Sequence, residues 1–393
     1  MECFKGKHIL IVVENLPLPF DRRVWQEANT LRENGAKVSI ICPMMKGYTK
    51  KYEVINDIEI YRHPLPFEAD GALGYLVEYS TALFWEWWLA WKIFFKKKFD
   101  VIHGCNPPDL ICLVAWWFKP FGVKYVFDHH DINPELYIAK YNKKGFFYRL
   151  MVLLEKITFK TADRSIATNE SYKEIAVSRG NMDPEKVQVV RSGPKLDRLK
   201  LLKPVAEYKK GKKFLIGYVG VIGEQEGIDL LLDSFKLLLK KRTDVQLGIV
   251  GGGTSLDSLK DYCNSLGIQG NVDFYGRVDD QTLIEVLNTA DVCVNPDKPT
   301  EMNNLSTMNK IMEYMALKKP IVQFDLKEGR FSAQKASLYA TDVSDFAEKL
   351  HLLLENDSMR QEMGEYGYSR VVNELSWDFE SQKLVDFYKL ILN

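Results

Sequence analysis

The chain has 393 residues, 46% of them hydrophobic and 27% charged, enough for two domains with sizeable cores and too apolar for a disordered polypeptide. Its 53 basic and 53 acidic residues cancel to a net charge of zero, which excludes a dedicated nucleic-acid binder. The zero hides an asymmetry: residues 1–200 carry 30 Lys and Arg against 24 Asp and Glu, and residues 201–393 carry 23 against 29, so an anionic partner is expected for the first half.

In chain order, Met1 to His8 has no apolar signal core. His8 to Val13 is a continuous apolar run and predicts a strand, followed by a helix over 21–34 and a strand over 38–42. That βαβ opening implies a parallel sheet. Further strands are expected near 58–62, 100–103, 123–127, 164–168 and 187–190, with helices between them. Tyr75 to Lys98 is rich in Trp and Phe and ends in three lysines, and Lys140, Lys143, Lys144, Phe146, Phe147 and Arg149 repeat that character. Aromatic residues beside lysines suit a membrane interface. Peripheral membrane contact through 75–98 and 140–150 is therefore expected, with a large buried helix carrying a basic end as the plainer reading. No run of about 18 uncharged apolar residues occurs, so no spanning helix is expected.

Lys200 to Lys213 is a charge run that reads as a solvated linker between domains. A second series follows it, with strands predicted at 214–219, 245–250, 272–275, 291–294, 320–324 and 337–340, and helices at 227–241, 255–266 and 280–289. Ser376 to Leu392 is an amphipathic terminal helix. The six cysteines show no paired spacing, which points to a reducing, cytoplasmic compartment. No Cys/His metal spacing is present, and His129-His130-Asp131 alone offers too few ligands for zinc, so neither metal nor cofactor is expected.

The densest functional signal is Asn309 to Asp325: a helix with one carboxylate, Glu313, opposite an apolar face, then a Lys-Pro stop and a strand ending in an acid. Ligands of α/β proteins sit beyond strand ends. Asn304, Ser306, Thr307 and Asn309 stand at the turn into that helix, whose N–H groups suit an anion. Capping of the helix by Ser306 or Thr307 is the alternative. Gly220 and Gly223 after one strand, and Gly251-Gly252-Gly253 after the next, permit close backbone approach to phosphate, and equally a simple turn. Lys310 and Arg330 flank the same unit as candidate phosphate ligands, with Arg22 and Arg23 as further candidates. His130, followed by Asp131, ends a strand of the first half, where an acid beside a histidine suits proton handling. Asp131 or Asn133 capping a helix begun at Pro134 is the plainer reading.

Glu313-Tyr314-Met315-Ala316 with Pro320-Ile321-Val322 resembles the donor-sugar motif of the retaining glycosyltransferase family 4 group, as found in bacterial cell-surface polysaccharide synthesis. Asp21 to Ala28, Asp100 to His103, Phe127 to Asp131, Gly217 to Gly220 and Gly248 to Gly253 match in order along nearly the whole chain. The resemblance implies an α/β protein of the GT-B fold, two Rossmann-like doubly wound domains facing a central cleft. The acceptor-side domain would span 1–200, with a helix over 373–393 packing back on it, and the nucleotide-sugar domain 201–372. It implies a metal-independent enzyme that moves a sugar, with retention, from a nucleotide-sugar donor to a glycan or lipid-linked acceptor at the inner face of the membrane. Glu313 would bind the donor ribose, His130 with Asp131 would line the reaction centre, and Gly276-Arg277-Val278 would meet the base. Three departures stand out. The family's first Glu falls at Leu305, its diphosphate-gripping Arg and Lys fall at Val221 and Glu226, and its first Gly-rich loop is replaced by Leu16-Pro17-Leu18-Pro19-Phe20. They keep open an inactive partner subunit, and also a nucleotide-sugar epimerase of the same fold.

Overall fold

The structure is a computed structural model that describes residues 3–65 and 71–392, with side chains from Val77 onward in its longest helix. Tyr75 and Leu76 of the aromatic stretch, and Asn393, are in this sense outside the described side chains. The chain forms two compact units, Met1–Ser192 with Glu380–Asn393, and Gly193–Phe379.

The first unit is built on eight strands: β1 His8–Val13, β2 Lys37–Pro43, β3 Tyr52–Ile55, β4 Ile58–His63, β5 Val101–Cys105, β6 Lys124–His129, β7 Arg164–Ala167 and β8 Val187–Val189. Their order across the sheet is β3-β4-β2-β1-β5-β6-β7-β8. All neighbours run parallel except β3, which pairs antiparallel with β4. Helices cover both faces, so β1 is buried at all six positions, as its unbroken apolar run requires. The edge strand β3 was not anticipated. Its residues are all exposed or half-buried, so no buried face imposes an alternation that sequence could display.

The second unit holds β9 Phe214–Val219, β10 Val245–Val250, β11 Val272–Gly276, β12 Val292–Asn295, β13 Ile321–Phe324 and β14 Ser337–Ala340, ordered β11-β10-β9-β12-β13-β14 and all parallel. The predicted strands of this half lie within a residue or so of these bounds. Lys200 to Lys213 is not a loose linker. The Leu202 and Val205 N–H groups donate to Asn288 and Thr289 at 2.9 Å, and Lys209 pairs with Asp291 at 2.8 Å.

Helix Trp377–Leu392 begins in the second unit and ends in the first. Tyr388 is fully buried there, its hydroxyl 2.7 Å from His103 Nδ1, and Glu380 accepts from the Arg191 N–H at 2.8 Å.

Candidate functional site

In the second sheet the strand order reverses between β9 and β12, the point where open α/β sheets receive ligands beyond their carboxyl ends. Three loops meet there. The Gly220 N–H donates to Val250 O, the Gly251 N–H to Gly276 O and the Ile222 N–H to Gly252 O, at 2.9–3.1 Å. Two glycines of this cluster are required by the packing itself. A Cβ on Gly251, at φ +142°, would stand 1.8 Å from Gly220 O, and one on Gly253 would stand 2.3 Å from Ile222 O. A Cβ on Gly220 would press on the Tyr218 hydroxyl, and one on Gly223 on the Gln225 amide. Loop-on-loop packing therefore requires Gly251 and Gly253.

Helix Asn309–Ala316 enters this point. Lys310, in its first turn, is buried and holds Glu226 at 2.7 Å, Asp297 at 2.8 Å and the Tyr218 hydroxyl at 3.4 Å. Burial alone would lower Lys310, but Asp297, Tyr218 and Glu226 keep it well above the ordinary lysine range, so it stays charged. Burial pushes Asp297 up to about 7 despite the lysine beside it. Glu226, which stands where the family carries a Lys, thus has its countercharge supplied by the helix.

Glu313 lies one turn further on, half-buried, and is ion-paired with Arg198. Arg198 also reaches Asp280 at 3.3 Å, at the start of the helix that follows β11. Arg277 is exposed, its stem lying against Gly252, and it makes no hydrogen bond or ion pair among the described residues. Arg330 is instead committed to a two-pronged pair with Asp325, at 2.8 and 2.6 Å, and stacks on Tyr339. Arg23 is also committed, within the first unit. The helix preceding Glu313 is broken in two: Glu301–Leu305 comes first, and Met308 then opens the second piece with no side-chain cap. The Ser306 hydroxyl donates back to Met302 O at 2.7 Å. Asn304 accepts from the Lys327 N–H at 2.8 Å, and Asn309 is exposed at the helix start.

In the first unit the acid that orients His130 is Asp128, not Asp131. Asp128 and His130 are two residues apart on extended chain and share a face, so Asp128 Oδ2 meets His130 Nε2. Arg23 Nε lies 3.0 Å from the same nitrogen, and its other arms reach Asp128 at 3.0 Å, Glu27 at 3.0 Å and Val190 O at 2.9 Å. Burial would raise Asp128, but Arg23 and then His130 hold it well below the carboxylate range. Among the described residues the side-chain contacts of His130 all fall on Nε2, and Nδ1 has none. Asp131 contributes its N–H, which with that of His130 donates to Asn106 Oδ1. Helix Asn133–Tyr141 has no side-chain cap, so neither Asp131 nor Asn133 caps it.

Two groups here have metal-ligand proximity, His103/Cys105/Asp128 and Glu27/Asp128/His130. Both share Asp128, whose charge Arg23 already matches, and burial keeps the Cys105 thiol protonated, the form that does not bind a metal. The donor set does not call for an ion.

Sequence reading missed Asp128, Asp297 and Arg198. Period-two alternation about His130 would have found Asp128. Nothing local ties Arg198 to a carboxylate 115 residues away.

Residues 21–198 match the sequence profile described as Glycosyltransferase Family 4, and residues 203–370 match that of Glycosyl transferases group 1. The capsular polysaccharide biosynthesis glycosyltransferase CapM of Staphylococcus aureus is 28% identical across 98% of this chain and 97% of its own. Among solved structures, sucrose-phosphate synthase from Thermosynechococcus elongatus superposes with a TM-score of 0.79 at 16% identity, covering 98% of this chain and 99% of that one. HepE from Anabaena, in complex with UDP, superposes at 0.72 with 13% identity over 98% and 100%. These structural likenesses concern the fold.

Proposed function

Since the chain belongs to the GT-B glycosyltransferases that join a family 4 half to a group 1 half, we propose that it moves a sugar, with retention, from a nucleotide-sugar donor to a glycan or lipid-linked acceptor in cell-surface polysaccharide synthesis. CapM, similar along its whole length, is named for such a pathway. The observation that carries the reading is the meeting of Glu313 and Arg198 with the three Gly loops and Arg277 at the reversal of the second sheet. Glu313 is the ribose ligand and Arg198 fixes its orientation. Arg277 grips the diphosphate in place of the arginine and lysine absent from Val221 and Glu226, because a guanidinium fork with no internal partner matches phosphate oxygens. Gly220, Gly223 and Gly253 shape the loops, and Asn304, Ser306, Thr307 and Asn309 border the sugar. His130, oriented by Asp128, faces the acceptor.

Peripheral contact with the inner membrane face is part of the same proposal. No helix among the described residues is long and apolar enough to cross a membrane. What supports contact is a broad aromatic face on the first unit. Phe84, Trp88 and Phe95 of helix Gly71–Lys96 are exposed, as are Trp117 and Phe121 from the segment after β5, which the sequence reading had not included. Trp117 meets Trp87 and Phe121 meets Trp91, at 5.9 and 5.7 Å between ring centres. Phe146 and Phe147 lie exposed on helix Phe146–Thr161, which Trp116 joins through a hydrogen bond to Thr161.

The test is thermal denaturation with UDP, GDP, ADP, CMP and their sugars, for the native chain, Glu313→Ala and Arg277→Ala. A nucleotide that binds the folded form alone stabilises it by mass action. Stabilisation by one nucleotide that both variants weaken about tenfold or more in Kd supports the reading. No stabilisation by any at millimolar concentration overturns it in favour of an inactive partner.

A further inference from the structure

Beneath helix Gly71–Lys96 lies a set of polar groups that the donor chemistry does not use. In β1 the even-numbered residues face this helix: His8 packs on Phe99, and Phe99 on Phe94 of the helix. Register carries that face across the sheet, since Leu10 pairs with Ile102 and Ile102 with Tyr125, while Val12 pairs with Gly104. Gly104 leaves a space, and the Tyr125 hydroxyl fills it, 2.8 Å from where a Cβ would stand. From above, the buried stripe of the helix reads Ala82, Glu86, Leu89, Ala90, Ile93, with one carboxylate among apolar residues. From below, Glu14 follows β1 directly.

Glu14, Glu86 and Tyr125 are 3%, 0% and 1% exposed. Among the described residues, Glu14 Oε1, both Glu86 oxygens and the Tyr125 hydroxyl have no hydrogen-bond partner. A single buried orphan costs stability, and four between one helix and one face of a sheet call for a group that satisfies them. The place is also informative. The first sheet reverses between β1 and β5, and Glu14 stands at the carboxyl end of that pair.

The chemistry narrows the occupant. Burial, and then the field of Glu14, pushes Glu86 up to about 8, and burial does the same to Glu14. At neutral pH both are carboxylic acids, which donate one hydrogen bond and accept others. Tyr125, also kept neutral by burial, does likewise. Three neutral groups that each donate and accept suit hydroxyl groups, which do the same. They do not suit phosphate, which needs cations, nor a metal ion, which needs ionised ligands.

We propose that Glu14, Glu86 and Tyr125 form an acceptor subsite that hydrogen-bonds the hydroxyl groups of the acceptor sugar. The proposal rests on the glycosyltransferase reading above. The subsite is closed in this structure, so entry lifts the helix from the sheet, and the aromatic outer face of that helix stands ready for the acceptor's membrane.

The test uses the full chain, wild type beside Glu86→Gln, Glu86→Leu and Tyr125→Phe, and follows thermal denaturation with the methyl glycosides of glucose, galactose, mannose and N-acetylglucosamine. The same plates carry the nucleotide panel. Expected is a rise of about 2–4 °C in the wild-type midpoint with at least one glycoside near ten times its Kd. Glu86→Leu loses that rise, and Glu86→Gln and Tyr125→Phe keep part of it. The nucleotide response stays unchanged in all four. Equal glycoside shifts in wild type and Glu86→Leu, or none in wild type, overturn the proposal and leave a cluster hydrated by internal water. Loss of the nucleotide response alone counts against the donor reading and leaves this one standing.

Discussion

At the scale of single residues, charge placement departs most from what a motif would suggest. Lys310 is read in sequence as a free cation, yet it is buried between Glu226 and Asp297. Lys310→Met leaves two acids without their cation and is expected to cost about 3–5 kcal/mol in denaturant unfolding. Adding Glu226→Gln should recover more than half of that loss. The Glu14 and Glu86 carboxyls make a separate, pH-dependent statement. Below about pH 4.5 both the folded and the unfolded chain hold these protons. Between there and about pH 8 only the folded chain does, so stability falls as pH rises through that window and the loss is complete above it. Glu86→Gln removes its share of the slope, on the order of 3–5 kcal/mol between pH 5 and pH 8.5, measured by denaturant titration at the two pH values.

At the scale of elements, helix Gly71–Lys96 works on both faces. Its inner stripe is core except for Glu86, and its outer stripe is aromatic with lysines at the end. Trp87, Trp88, Trp91, Lys92 and Phe95 line an open apolar groove of about 470 Å³, and Lys92 sits over the Trp88 ring. Interfacial binding of this kind combines buried apolar area with attraction to anionic lipid. Trp88→Ala with Phe95→Ala and Trp117→Ala is expected to reduce co-sedimentation with phosphatidylserine-containing vesicles at least tenfold. Thermal stability should fall less than for a core substitution, because these rings are largely exposed and make only surface ring contacts. Undiminished vesicle binding by the triple variant would remove this face from the membrane proposal. The element missed in sequence, β3, shows the complementary lesson: an edge strand without a buried face leaves no periodic trace.

At the scale of the molecule, the end of the chain belongs to the beginning. Residues Glu380–Asn393 are part of the first unit, where Tyr388 meets His103 and Phe4. Truncation after Phe379 is expected to lower the unfolding midpoint of the first unit and leave nucleotide binding by the second intact, read by calorimetry with and without nucleotide. A loss of nucleotide binding would show that the helix supports the second unit too. Most of the fold was legible in the sequence: parallel strands buried on both faces must be continuous apolar runs, and such runs stand out without a structure. The strand before His130 was legible for the same reason, and the helix bearing Glu313 through its one apolar face. The partners of those residues were not. Arg198 with Glu313 and Lys310 with Glu226 and Asp297 are contacts between distant segments, and a charge in a sequence does not say which countercharge folding brings to it. Sequence by itself determined the architecture, because burial imposes a period on local residues. Only the tertiary structure decided which basic residues are spent on internal pairs and which, like Arg277, have none among the described residues, because pairing energies depend on distances that the whole fold sets.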